Sequence, residues 1–150
     1  MKYLSIFFAI ILLGAGGKVK VTESTSQEWM GGLQQTGYGT YYKAMVTVKA
    51  GSDKLQIDEI WVDNLKLPAR AVTDLKNAGS KTFKKGDKVY VTAGVTWKPD
   101  PQGGMVRKTG IQMDKPYEYK GQGLIGYTYK GKRAYIEIQS FKKLETLIYP

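Results

Sequence analysis

Paired carboxylates are the arrangement in this sequence that comes nearest to acid–base catalysis. Asp58 and Glu59 are adjacent, and Asp114, Glu118 and Glu137 are acids that folding could bring near them. A glycosidase needs two carboxyl groups that face one cleft, roughly 5 to 9 Å apart. Neighbours on a strand point to opposite faces, so the sequence predicts that Asp58 and Glu59 are solvated strand charges. A carboxylate-dependent polysaccharide hydrolase is the alternative function.

The amino-acid composition excludes several other kinds of catalytic site. The chain contains no histidine and no cysteine. This removes Ser-His-Asp and Cys-His catalysis, thiolate chemistry and the usual zinc ligands. The aspartates of the predicted loops lack the spacing of a calcium-binding loop. We therefore expect no catalytic residue, no cofactor and no metal, and a protein that is not an enzyme.

One stretch matches a dinucleotide-binding pattern. Residues 121–126 read Gly-Gln-Gly-Leu-Ile-Gly, which is GxGxxG. The pattern binds a dinucleotide only where it joins a strand to a helix. Here it precedes a predicted β-hairpin, so we interpret it as a chance match.

Basic and aromatic residues are the main candidates for binding. The formal net charge is +10, which attracts polyanions. Cations beside aromatic rings can hold a polyanion or a sugar, whereas the three tryptophans are expected to pack within the sheets. The predicted partner is an anionic glycan or an envelope protein rather than nucleic acid. The candidate contacts are Tyr41, Lys43, Lys84, Lys85, Lys88, Tyr90, Arg133 and Tyr135.

The first 16 residues have the features of a secretory signal peptide. A lysine at position 2 precedes the apolar run Leu4–Leu13, and four small residues follow it. The run is shorter than the roughly 20 residues that a membrane-spanning helix needs. This order predicts an exported, periplasmic or secreted protein without a transmembrane span after cleavage. Whether the segment is instead retained as an anchor stays open.

Period-2 alternation of apolar residues predicts strands over most of the remaining chain. Lys88–Lys98 is the clearest strand, and Thr40–Lys49 pairs with Glu28–Thr36 in a predicted hairpin. Residues 17–27 are interpreted as a flexible lead-in, with an edge strand as the alternative. Asp74–Ser80 is the one stretch that could form a helical turn. Residues 28–150 then form a single β domain.

The predicted C-terminal hairpin has a defined register. Lys130 and Gly131 suit a two-residue turn, which pairs Tyr127 with Ala134 and Ile125 with Ile136. Directly paired residues share a face, so one side is apolar and the other polar. A shift of one residue would destroy this separation.

Two segments in the middle of the chain have irregular patterns. In Lys54–Val62 the apolar phase changes, so the sequence predicts either a β-bulge at Asp58-Glu59 or an edge strand with Trp61 inward. Leu65–Ala71 alternates but contains Pro68, which cannot donate to a ladder. We therefore expect an edge strand there.

About seven or eight strands with frequent turns favour an all-β fold. We predict an antiparallel β-sandwich of immunoglobulin-like kind, with a small β-barrel as the alternative. An architectural subunit of a surface assembly is a further possible function, which an unprotected edge strand would favour.

The layout resembles small exported β-sandwich proteins of Gram-negative bacteria. The residues that carry the resemblance are Trp29–Gly32, Ile60–Val62, Lys85–Val89 and Ile136–Tyr149. Many such proteins carry a lipidated cysteine after the signal, and this chain has none. The resemblance implies an envelope location and no catalytic residues.

Overall fold

The fold is described by a computed structural model that covers residues 17–33 and 36–150. The predicted signal peptide, residues 1–16, lies outside the described residues. Among the residues described, no helix is long and apolar enough to cross a membrane.

Among the described residues, twelve strands form two sheets, and seven of these strands have four or more residues. The sequence predicted seven or eight strands, and the other five observed strands have only two or three residues each. The strands are β1 (Val19–Met30), β2 (Tyr38–Val48), β3 (Leu55–Val62), β4 (Leu65–Pro68), β5 (Arg70–Val72), β6 (Lys88–Pro99), β7 (Met105–Arg107), β8 (Ile111–Gln112), β9 (Gly123–Tyr129), β10 (Lys132–Ile138), β11 (Lys142–Lys143) and β12 (Leu147–Ile148).

The two sheets form the predicted antiparallel-dominated sandwich. Sheet A has the order β11-β1-β2-β6-β5, with β12 also beside β1 and β7 beside β6. Sheet B has the order β10-β9-β3-β4-β8. Only the short C-terminal strands β11 and β12 run parallel to their neighbour β1. Within the described ranges neither sheet closes into a barrel.

The core lies between the inner faces of the sheets. Alternate residues of each strand point inward, so valines predominate on sheet A and isoleucines on sheet B. The inner residues with no more than 6% exposure include Val46, Val48, Val89, Val91, Ile57, Ile60, Ile125 and Ile138.

The predicted C-terminal hairpin is confirmed residue by residue. Tyr127 pairs with Ala134 and Ile125 pairs with Ile136. Lys130 and Gly131 have φ angles of 48° and 78°. Two successive positive φ angles define the tight turn whose twist matches the strands.

The bulge alternative is confirmed for β3, and the edge-strand alternative is wrong. The register of β3 against β9 shifts between Ile57 and Glu59. Asp58 is therefore the extra residue, and Ile57 and Ile60 both reach the core. Trp61 is 3% exposed but lies on the other face of sheet B, outside the central cluster.

The predicted strand Leu65–Ala71 divides between the two sheets. Residues up to Pro68 pair with β3 in sheet B, whereas Arg70–Val72 pair with β6 at the edge of sheet A. The chain crosses at Ala69, whose N–H donates to the Asp58 carbonyl at 2.9 Å. Residues 74–80 form turns rather than a helical turn, because the Asp74 and Asn77 side chains accept backbone N–H groups two residues later.

The flexible lead-in is wrong for most of its length. β1 begins at Val19 and pairs with β2 up to Met30 opposite Tyr38, with one bulge between Val21 and Glu23. Val19 is 1% exposed because it packs into the core. The edge-strand alternative is correct only in part, since β11 and β12 cover β1 from Thr25 onward.

Candidate functional site

The eight predicted contact residues divide between opposite sides of the sandwich. Their strand register places Tyr41, Lys43, Lys88 and Tyr90 on the outer face of sheet A. The turn before β6 holds Lys84 and Lys85, both exposed. Two further residues, Arg133 and Tyr135, lie on the outer face of sheet B. One ligand cannot contact all eight, so sheet A and sheet B are separate candidates.

A row of cations crosses the outer face of sheet A in strand register. Successive partners on β11, β1, β2, β6 and β5 are Lys142, Thr25, Lys43, Thr92 and Arg70. Neighbouring strands lie about 4.8 Å apart, so cations on every second strand are about 10 Å apart. We call these five residues the cationic row. It alternates a positive charge with a hydroxyl group.

A second row extends the positive charge along the same face. Lys20, Thr47 and Lys88 are partners on β1, β2 and β6. Only Glu23 contributes a carboxylate between this row and the cationic row. In residues 17–33 and 36–150, no cation of this face lies within 4.0 Å of a carboxylate oxygen. The basic face is defined by its cations, Lys20, Lys43, Arg70, Lys88 and Lys142.

Two tyrosines flank the cationic row. Tyr90 lies between it and the Lys88 row, and Tyr41 lies on the other side, opposite Gly94. Tyr41 is 44% exposed, and its ring stacks on Trp29 with centroids 5.9 Å apart. Burial, followed by the hydrogen bond and charge of Tyr149, raises the pKa of Tyr41. The hydroxyl is therefore neutral at neutral pH and engaged with Tyr149, and the exposed part of the ring is what Tyr41 offers to a ligand.

The outer face of sheet B has its charges paired internally. Arg133 Nη1 is 2.8 Å from Asp58 Oδ1, and its Nη2 is 2.7 Å from Glu59 Oε2. Lys66 Nζ lies 3.6 Å from the other oxygen of Glu59. Trp61 Nε1 donates to Glu59 Oε2 at 2.9 Å. Because Arg133 already binds two carboxylates, it is a poor anion-binding group and drops out of the candidate site.

Asp58 and Glu59 do not point to opposite faces, which corrects the sequence expectation. The bulge at Asp58 breaks the alternation, so both carboxylates contact one guanidinium group. Burial would raise the pKa of Glu59, but hydrogen bonds from Arg133 and Trp61 and the charges of Arg133 and Lys66 outweigh it, and the pKa is lowered. A general acid needs the opposite shift.

The glycines of the GxGxxG stretch are explained by close packing. A Cβ on Gly121 would lie 2.3 Å from the carbonyl oxygen of Ile138, and one on Gly126 would lie 2.7 Å from Glu59 Oε2. The pattern lies before and within strand β9 rather than at a strand-to-helix turn. Gly126 therefore leaves the space in which the Arg133–Glu59 pair lies across β9.

We expect Gly126→Ala to lower the free energy of unfolding by about 1 kcal/mol, the net value of a typical hydrogen bond that must shift. Urea unfolding at pH 7 measures the change. Gly94→Ala is the matched strand control, because its Cβ would meet only ordinary contacts at 3.5 Å or more. Equal stability of the two variants would contradict the packing role of Gly126.

Tyrosine side chains pack over another part of the outer face of sheet B. Tyr117 meets Tyr119 and Tyr135 edge-to-face, with centroids 6.3 and 6.0 Å apart. The Glu137 carboxylate anchors their loop by accepting the N–H groups of Lys120 and Gly121. Burial, with the charge of Glu137 next, raises the pKa of Tyr117 to about 12. Tyr135 is thus a packing residue over Arg133, 5.5 Å from its guanidinium carbon.

Sheet A therefore holds the stronger candidate site, with unpaired cations, hydroxyls and two tyrosines in register. Across the described ranges, no group of three or more acids could hold a metal ion. No family model matches the chain, and neither a curated protein nor a solved structure is significantly similar to it.

Proposed function

We propose that this chain is an exported, envelope-associated binding module without catalytic activity, which holds an anionic glycan on the basic face of sheet A. The observation that carries the proposal is the cationic row. Lys142, Lys43 and Arg70 alternate with two threonines across five strands. A rigid sheet fixes this spacing before any ligand arrives, which reduces the entropy lost on binding.

The spacing favours a polymer with separated charges. Cations about 10 Å apart suit a polysaccharide that carries a carboxylate on every second sugar. The half-buried Thr92 can then donate its hydroxyl to the intervening sugar, whereas Thr25 is only 7% exposed and packs beneath its lysine neighbours. The rings of Tyr41 and Tyr90 can contact the apolar C–H groups of the sugar. Salt should weaken this binding, because the cations are exposed.

The export part of the proposal is supported by the first 16 residues. The apolar run Leu4–Leu13 and the small residues after it are typical of a secretory signal. Export places the basic face where envelope polysaccharides occur. The hydrolase alternative has less support, since the adjacent carboxylates Asp58 and Glu59 both bind Arg133.

Neutralising two cations of the row tests the proposal. We expect Lys43→Gln with Arg70→Gln to weaken binding of a hyaluronan octasaccharide about tenfold, which is about 1.4 kcal/mol. Each exposed ion pair is worth roughly 0.2–1 kcal/mol, so two lost pairs account for the change. Isothermal titration calorimetry at low ionic strength measures the affinity.

The control removes the same charge elsewhere. Lys108→Gln with Lys120→Gln changes two exposed lysines outside the basic face, and its affinity should stay within twofold of the unaltered chain. Equal losses in both double variants would mean that net charge alone attracts the glycan. Absence of measurable binding by the unaltered chain would refute the proposal.

A further inference from the structure

Four separate chain segments meet at one end of the sandwich. The Lys49 N–H donates to the carbonyl of Lys18 at 2.8 Å, and the Lys130 N–H donates to the carbonyl of Lys54 at 3.0 Å. The segment before β6 joins them, since Gly86 N–H donates to the Val48 carbonyl at 2.7 Å and Ser52 N–H donates to the Phe83 carbonyl at 3.0 Å. The end is therefore a single surface that both sheets share.

This surface is strongly positive. Asp53 and Asp87 are its acids, and Asp87 already accepts the N–H of Lys84 at 2.9 Å. We call this surface the lysine end, and its lysines are Lys18, Lys49, Lys54, Lys84, Lys85, Lys130 and Lys132. Seven lysines less two aspartates give a net charge of 7 − 2 = +5. Among the residues described, none of these lysines lies within 4.0 Å of a carboxylate oxygen.

The opposite end of the sandwich has a different character. Its loops follow β3 and β6, precede β9 and form the C-terminal tail. They carry five acids, so the positive charge of the chain is unevenly distributed along the strands. The acids are Asp63, Asp100, Asp114, Glu118 and Glu145.

An aromatic ring lies among the lysines. Lys18 Nζ is 4.8 Å and Lys130 Nζ is 5.4 Å from the centre of the Tyr129 ring. Tyr129 is half-buried against the core, so its ring stays in the domain. Cation–π contacts with this fixed ring hold the two ammonium groups together at the surface.

We infer that the lysine end docks on the surface of an anionic lipid membrane. Charge complementarity supports this occupant, since clustered lysines bind anionic headgroups. The inference uses none of the residues of the basic face and does not depend on glycan binding.

Docking in this way fixes the direction of the strands. β1, β2 and β6 each have one terminus at the lysine end, so they would run away from the membrane. The basic face of sheet A would then stand upright on the lipid surface. A polysaccharide beside the membrane could reach it from the side.

Vesicle sedimentation of the exported form, residues 17–150 after removal of the predicted signal peptide, tests the inference. We expect binding to phosphatidylcholine vesicles that contain phosphatidylglycerol, and far weaker binding to phosphatidylcholine alone. Lys84→Gln with Lys85→Gln should lower the partition coefficient on the order of tenfold, because each surface lysine strengthens binding several-fold. Lys49→Gln with Lys54→Gln should lower it similarly, which guards against a folding defect in one variant.

Two control variants separate this inference from glycan binding and from net charge. Lys43→Gln with Arg70→Gln on the basic face, and Lys108→Gln with Lys120→Gln, should each retain vesicle binding within twofold. Equal losses in all variants, or equal binding to uncharged vesicles, would overturn the inference. Failure of the unaltered chain to bind the hyaluronan octasaccharide, with vesicle binding as expected, would refute the proposed function alone.

Discussion

Deleting Gln56 should remove a large part of the stability of the domain. β3 has one extra residue, Asp58, in its bulge, and Gln56 lies between the core residues Leu55 and Ile57. Without Gln56 the strand either keeps the bulge and turns Leu55 to the outer face, or loses the bulge and turns Ile57 outward and Asp58 inward. Removing a large aliphatic side chain from a core costs about 2–5 kcal/mol, a large part of the 5–15 kcal/mol typical of a domain. Urea unfolding followed by circular dichroism measures this loss.

Deleting Asp58 is the matched control. It removes the extra residue and leaves regular alternation, so the core-facing residues of β3 keep their side of the sheet. It loses the exposed carboxylate beside Arg133 and the carbonyl that accepts the Ala69 N–H. The expected cost is about 1–2 kcal/mol, from one partly exposed ion pair and one backbone hydrogen bond. If deleting Asp58 were as harmful as deleting Gln56, a change of face along β3 would not explain the loss.

Replacing Arg133 with methionine should have the second largest effect. The variant keeps much of the side-chain volume but leaves the Glu59 carboxylate, which is 15% exposed, without its nearest cation. We expect a loss of about 2 kcal/mol at pH 7, below the 3–5 kcal/mol of a fully buried pair, because the Arg133 side chain is 30% exposed. Chemical unfolding at pH 7 gives the value.

The pH dependence of that loss identifies its cause. In the unaltered chain the pKa of Glu59 is lowered, so its stabilising effect is present above pH 4.5 and disappears as the pH falls through the lower folded-state value. In Arg133→Met the contacts of Arg133 that lower the pKa of Glu59 are lost, so this pKa lies above its value in the unaltered chain and protonation relieves the variant at a higher pH. The stability difference between the unaltered chain and Arg133→Met should therefore shrink as the pH falls.

The double variant Glu59→Gln with Arg133→Met should recover part of the loss at pH 7. A gap that stays constant with pH, or no recovery, would exclude an unpaired Glu59 as the cause.

Local patterns were sufficient to predict the C-terminal hairpin and the sandwich, whereas the predicted partner of Thr40–Lys49, Glu28–Thr36, was wrong beyond Met30 because that strand is Val19–Met30. In β9 and β10 the turn and the alternation agree, so Tyr127 and Ala134 could be paired from the sequence. The phase change in β3 indicated a bulge as one of two alternatives. The structure decides between them, because β9 and β4 flank β3 and exclude an edge position from Glu59 onward.

The first strand was missed for an identifiable reason. A second bulge between Val21 and Glu23 interrupts the alternation of β1, and its outer residues are polar. A short polar segment then has the composition of a flexible leader. Its burial depends on β2 and on the C-terminal strands β11 and β12, which pair with it from more than 100 residues away.

The candidate site depends on register between distant segments. The sequence identified Lys43 but not its row, because Lys142 and Arg70 belong to short strands without a clear pattern. The sequence also offered Arg133 as a contact, although it pairs with Asp58, 75 residues earlier. Such pairs become visible only when strand order and register are known. The lysine end includes the Lys130-Gly131 turn, which was predicted from the sequence. That this turn lies beside the other lysines of that end could not be predicted, because they belong to separate segments of the chain.

The most direct test of glycan binding by the basic face is a map of the contact residues. We would titrate the isotopically labelled full chain with the hyaluronan octasaccharide and follow backbone amide shifts by NMR. Glycan binding at this face predicts that the largest changes fall on β1, β2, β5 and β6, at Thr25, Lys43, Arg70 and Thr92. Changes concentrated around Arg133 and Tyr135 on sheet B, or no changes at all, would contradict it.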